Sequence, residues 1–258
     1  MERDWSMRDT ADDATGEVRD RAPDLLAPID ANAPVSGHHV PDAPGAPAVA
    51  TGHDWESARG RIYPLLRPTG TVGIPLEEAL TAPPTIVAAH GSARPIVRAG
   101  PCDLVVVYGM AAGGYDVLVN RDHLLSWGVL GADVEEAALA NLAAWSREAT
   151  WVEETSGSRR LVSSATGEGY DAARILLPEA RAHLATSLAE GLSDPARARL
   201  LVGLPERHLL VAGALLPGDD EFATLFHEFL VEQSGAADEP VDRRVFELVG
   251  GELIEFAG

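Results

Sequence analysis

Apolar positions along the chain alternate between short runs of period two and three longer runs of helical period. Leu104 to Tyr108 (LVVVY) and Tyr115 to Val119 (YDVLV) are β-branched or aromatic stretches joined through Ala-Ala-Gly-Gly, the pattern of a hairpin. Arg61-Ile-Tyr-Pro-Leu-Leu-Arg67 reads as a strand whose Pro64 predicts an edge or a bend. Similar pairs recur near 150–153 with 160–164, at Leu200–Leu204 with His208–Leu215, and at Val245–Val249 with Glu252–Phe256 around Gly250-Gly251. Pro at 68, 75, 83, 84, 95 and 101 predicts loops with brief extended pieces over 68–101.

Helices fall between the pairs. Val134, Ala138, Leu142 and Trp145 form one face of a helix from Val134 to Arg147, with Asp133 and Glu136 as its capping box. Pro178 suits the first residue of a second helix ending near Glu190, since its missing N–H costs nothing there. Tyr170–Leu176 then forms a separate turn, because a continuous helix would press the Pro178 ring against the Arg174 carbonyl. Phe222, Leu225, Phe226, Phe229 and Leu230 mark the third helix behind Asp219 and Asp220. The repeated strand-strand-helix order predicts an α+β domain over 53–258, with a mainly antiparallel sheet and helices packed on one side.

Residues 1–52 break this pattern. Pro at 23, 28, 34, 41, 44 and 47 is mixed with Ala, Asp and Gly, and Leu25-Leu26 is the sole apolar cluster. Too few large apolar residues are present to offset the entropy of ordering, so the segment reads as a disordered tail. The alternative is a short recognition segment around Leu25, Leu26 and Ile29.

Composition removes several chemistries. Forty acidic against 20 basic residues give a formal charge of −20, which disfavours nucleic acid and anionic membrane as partners. Every basic residue is Arg, so a Schiff-base lysine, a phosphate-loop lysine and a Ser-x-x-Lys nucleophile are impossible. One cysteine, Cys102, excludes an intramolecular disulfide and a multi-cysteine metal site, and it reads as a small buried hydrophobe. The opening MERDWSMRDT lacks a signal-peptide core, and no apolar run is long enough to span a membrane, so a cytoplasmic location is expected.

The polar candidates are few. His227, Glu228 and Glu232 resemble a zinc-protease helix, yet Val231 stands where the second His belongs, and a solvated helix face is the simpler reading. His123 and His208, with Asp122 and Glu206, are residue types able to hold a metal or form an acid–base pair, although nothing local requires it. Ser126, Ser163 and Ser164 lack a nucleophile-elbow context, and the glycines at 109–114 suit a hairpin turn rather than a dinucleotide loop. In Gly167-Glu-Gly-Tyr-Asp-Ala-Ala-Arg174 the glycines free the backbone and Asp171 is placed to cap a turn, with Arg174 three residues later. Either Asp171 and Arg174 pair to hold a loop-to-helix junction, or Arg174, an exposed Tyr170 and the turn N–H groups bind an anion or peptide.

Arg61–Arg67, Tyr115–Val119 with Leu125-Ser-Trp127, Ala138–Leu142, Gly169–Leu176 and Leu204-Pro-Glu-Arg-His-Leu-Leu-Val211 occur in an order that resembles the bacterial YtpQ-like family, a domain of unknown function. The likeness would cover about residues 55–256. Ala173 stands where that family carries Ser, and His208 where it carries an acidic residue. The resemblance implies a fold and no mechanism. Taken together, these features make a non-enzymatic binding or adaptor module the leading expectation, without cofactor or metal and with a protein or small-molecule partner. Tyr170, Asp171, Arg174, Arg207 and His208 are its candidate ligand-binding residues. The alternative is a hydrolase-like enzyme using Asp, Glu, His and Arg.

Overall fold

The strand pairs assemble into two sheets. The computed structural model describes residues 54–81, 94–113 and 115–258; the segment read as a tail, 1–52, lies outside the described residues. The first sheet holds β1 (Ile62–Arg67), β2 (Ile74–Pro75), β3 (Ile96–Ala99), β4 (Val105–Ala111) and β5 (Asp116–Leu118). Its order is β1-β4-β3-β2, with β5 also beside β4. Among the described residues only β2 and β3 run parallel. β1 is an edge strand, as Pro64 requires. The second sheet is antiparallel throughout. It orders β11 (Glu252–Glu255), β10 (Phe246–Val249), β8 (Arg199–Glu206), β9 (Leu209–Leu215), β7 (Arg159–Ser164) and β6 (Val152–Ser156).

Among the described residues the helices are α1 (Trp55–Arg59), α2 (Arg121–Trp127), α3 (Gly131–Glu148), α4 (Pro178–Ala189) and α5 (Asp220–Ala236). The Asp219 carboxylate accepts the Phe222 N–H at 3.2 Å and starts α5. Phe222, Phe226 and Leu230 then pack on Leu161, Leu201, Leu209 and Val211. Leu184 and Leu188 of α4 pack with Val162, Val202, Leu210 and Ala212, which point the other way from the same strands. The helices therefore divide between the two faces of the second sheet, where the strand-strand-helix order had suggested one side. The reason is visible in β9: all seven residues of Leu-Leu-Val-Ala-Gly-Ala-Leu are buried, the mark of a strand covered on both faces. The α4-side core continues into Ile62, Leu66 and Tyr108 of the first sheet.

Two helix starts differ from expectation. α3 begins at Gly131, ahead of Val134, and Asp133 sits inside its first turn, where Oδ2 accepts the Leu130 N–H at 2.7 Å. α2 was not foreseen. Asn120 caps it reciprocally: Oδ1 accepts the His123 N–H at 3.1 Å, and His123 Nδ1 accepts the Asn120 N–H at 3.2 Å. Pro178 opens α4, and the turn before it is the separate 3-10 segment Ala172–Leu176, both as the proline predicted. Cys102 is half-buried rather than fully buried; its Sγ–H donates to the Leu253 carbonyl at 3.1 Å, and burial raises its pKa.

Candidate functional site

Asp171 and Arg174, the best candidates for a surface site, are both 0% exposed. The chain reaches them through Gly167 and Gly169, which take φ of 81° and 87° and turn the following segment inward. Asp171 Oδ1 accepts the Ser164 hydroxyl at 2.5 Å and the Thr166 N–H at 3.0 Å, while Oδ2 accepts the Thr166 hydroxyl at 2.9 Å. Arg174 uses every nitrogen. Nε donates to Ser146 Oγ at 2.9 Å; Nη1 to Ser164 Oγ at 2.8 Å and Thr150 O at 3.3 Å; Nη2 to Ser146 O at 2.9 Å and Ala149 O at 3.3 Å.

The expected Asp171–Arg174 pair is therefore not a direct one, nor does Asp171 cap the turn with its side chain. The Ser164 hydroxyl stands between the two groups. Arg174 instead caps the C-terminus of α3, where its charge meets the negative end of the helix dipole. Its guanidinium lies 3.6 Å from the Trp151 ring centroid, and Trp151 is 4.8 Å from His183. Burial pulls the Arg174 pKa down to about 10, opposed by the Asp171 charge. A guanidinium so enclosed cannot meet an incoming anion or peptide.

Tyr170, expected to be exposed, is buried. It stacks on Tyr63 at 4.1 Å and meets Trp145 edge-on at 5.5 Å, and burial pushes its pKa up to about 12. Trp145 in turn donates its indole N–H to Glu168 at 2.8 Å. Arg207, in the turn between β8 and β9, is also buried. It donates to Asp116 at 2.6 Å, to Glu239 at 2.9 Å and to Gly169 O at 3.3 Å, joining β5 of the first sheet to a hairpin of the second. Glu239 also accepts from Arg67 at 2.5 Å.

His208 is half-buried, with Nδ1 lacking a partner among the described residues. Glu206 lies near it. Burial raises the Glu206 pKa; His208 opposes that rise, and Asp171 and Asp238 add to it. Asp122 and His123 belong to α2, where His123 serves the cap rather than joining His208. Among the described residues no group of three or more His, Cys, Asp or Glu could hold a metal ion. His227, Glu228 and Glu232 are exposed on α5, as read from their phase.

Ser146, Ser164, Thr166 and Trp151 complete this network; of the four the sequence singled out Ser164 alone, and only to set it aside as a nucleophile. One signal was available. Val134, Ala138, Leu142 and Ser146 continue a four-residue step along the buried stripe of α3, so a polar residue at 146 called for an interior partner.

An open concavity lies elsewhere, between α1 and α3. A groove of about 510 Å³ is walled by Trp55 and Arg59 on α1 and by Asp133, Glu136, Ala137 and Ala140 on α3. The Asn141 amide holds the walls together by donating to Arg59 O at 2.7 Å and Ile62 O at 2.8 Å. The chain matches no protein-family model, no curated protein and no solved structure.

Proposed function

We propose that the chain is a non-enzymatic binding or adaptor module. The observation that supports this reading is the contrast between its polar groups and its open surface. Asp171, Arg174 and Arg207 are taken up inside the fold, while the accessible groove has an alanine floor beside a tryptophan and two carboxylates. Such a surface offers contact area and charge, and binding grooves are built this way. The resemblance to the YtpQ-like family rests on its ordered motifs and adds a fold to this proposal.

A hydrolase-like activity is the second reading, and one feature favours it. Glu206, with its raised carboxyl pKa, beside His208 is a pairing of the kind used for proton transfer. The test is chemical cross-linking in the native host, followed by purification of the full chain and of an Ala140→Trp variant. Loss of a stoichiometric partner from the variant supports the module. A substrate turned over by the full chain, unaffected by Ala140→Trp and abolished by Glu206→Gln, would replace it with the enzyme.

A further inference from the structure

We propose that the groove between α1 and α3 is the docking site for a partner segment that presents Arg or Lys side chains next to small apolar ones. This rests on the binding-module reading and specifies its partner. Asp133, Glu136, Ala137, Ala140 and Asn141 fall at i, i+3, i+4, i+7 and i+8 along α3, so they form one continuous stripe. Its middle is alanine, short enough for another backbone to approach, and its N-terminal end carries the two carboxylates.

Charge sets the sign of the occupant. Asp133 keeps one oxygen on the Leu130 N–H, and Glu136 is exposed with no ion pair among the described residues. Arg59 on the facing wall is already matched by Glu56 at 3.4 Å. Trp55, tilted against Trp127 at 5.8 Å, adds an aromatic surface suited to a cation. Beyond the groove, a chain of net charge −20 attracts cations and repels a second copy of itself. The N-terminal residues 1–53 hold more Asp and Glu than Arg, which disfavours them as occupant as well. A cationic segment with small apolar side chains answers all of these features.

The probe is a fluorescein-labelled helical peptide with Ala and Leu on one face and Arg on the flanking positions, titrated by anisotropy against the full chain. Glu136→Arg reverses the rim, and Ala140→Trp fills the floor; both positions are exposed, so folding is spared. Each should weaken binding about tenfold or more, and the same peptide with Glu in place of Arg should not bind. Glu228→Arg makes the identical charge change on the exposed face of α5 and should leave affinity within about twofold.

Equal weakening by Glu228→Arg would mean diffuse attraction to an acidic protein and would overturn the site. So would full binding to Ala140→Trp, while no binding to the unmodified chain would overturn the cationic occupant. A rise of about tenfold in affinity on Leu25→Asp with Leu26→Asp would assign the groove to the chain's own N-terminal segment. A dimer abolished by Ala140→Trp would assign it to a second copy. If the cross-linked native partner is lost from Ala140→Trp while the Arg peptide fails to bind, the partner chemistry is wrong and the module reading stands. Retention of that partner by Ala140→Trp overturns the groove as the module's site.

Discussion

The turn from Gly167 to Arg174 and the groove between α1 and α3 are opposites. The turn concentrates Asp, Arg, Tyr and two glycines in eight residues, and every one of its charged groups except Glu168 faces inward. The groove is built from dispersed residues, two alanines and two acids on one helix facing Trp55 and Arg59 on another, and it is open to a partner. Local density of polar residues therefore marks a demand for hydrogen bonds, which the interior can supply as well as a ligand can. In this chain the supply comes from the end of α3: Ser146, Ala149 and Thr150 present acceptors that would otherwise be unpaired, and Arg174 serves them all.

The sharpest way to break that comparison is to remove Arg174. If it is an internal cap, Arg174→Ala leaves several buried acceptors without donors and Asp171 without its bridged counter-charge. The expected loss is on the order of 3–5 kcal/mol, read as the urea midpoint at constant m. Asp171→Ala should also destabilise, and the double variant should cost less than the sum, because both residues meet at Ser164. In a Ser164→Ala background that coupling should shrink. A loss below about 1 kcal/mol for Arg174→Ala would return this residue to the list of surface sites.

How far the sequence reached follows from what each element depends on. α5 was legible because Phe222, Phe226 and Leu230 repeat at helical spacing behind an Asp cap, all within one segment. Pro178 marked a helix start by its own covalent geometry. α2 escaped because seven residues with a polar first turn give too little periodicity, although Asn120 and Gly128 bracket it. The placing of α4 and α5 on opposite faces was legible in the unbroken apolar run of β9, a signal that the strand-strand-helix order obscured. Arg174 was not legible. Its acceptors come from 146–150 and 164, and only the packed fold brings those segments to it.

Gly169 gives the next effect in size. It holds φ of 87°, and a Cβ there would stand 2.4 Å from Arg207 Nη2. Gly169→Ala must therefore strain the backbone and push aside the guanidinium that joins Asp116 to Glu239. A loss of about 1–3 kcal/mol in thermal or urea unfolding is expected. Gly167→Ala serves as the control: it shares the positive φ, at 81°, but has open space where the Cβ would go. A smaller loss at 167 than at 169 isolates the Arg207 contact, whereas equal losses would reduce both to backbone strain.

The smallest effect is the response to acid. Burial lowers the pKa of His183 against Trp151, where Arg174 adds to the lowering and Glu153 opposes it; burial also lowers that of His123 in the α2 cap, opposed by Asp122. A histidine held below its ordinary 6.5 favours folding through its neutral form. That contribution is present above 6.5 and is lost as pH falls toward the depressed folded value. At His123 a proton on Nδ1 would also remove the acceptor for the Asn120 N–H and so open the α2 cap. Glu206 acts in the opposite direction: its raised pKa gives stability present below the ordinary 4.5 that is lost as pH climbs through the raised value. The histidine loss should therefore stand out between about pH 7 and 5, as a fall of a few degrees in Tm. His183→Gln with His123→Gln should flatten the slope of Tm against pH in that window, whatever the absolute stability of the variant. An unchanged slope would show that the two rings accept a proton in the fold as readily as in the unfolded chain, leaving the His183–Trp151–Arg174 stack as packing without electrostatic consequence.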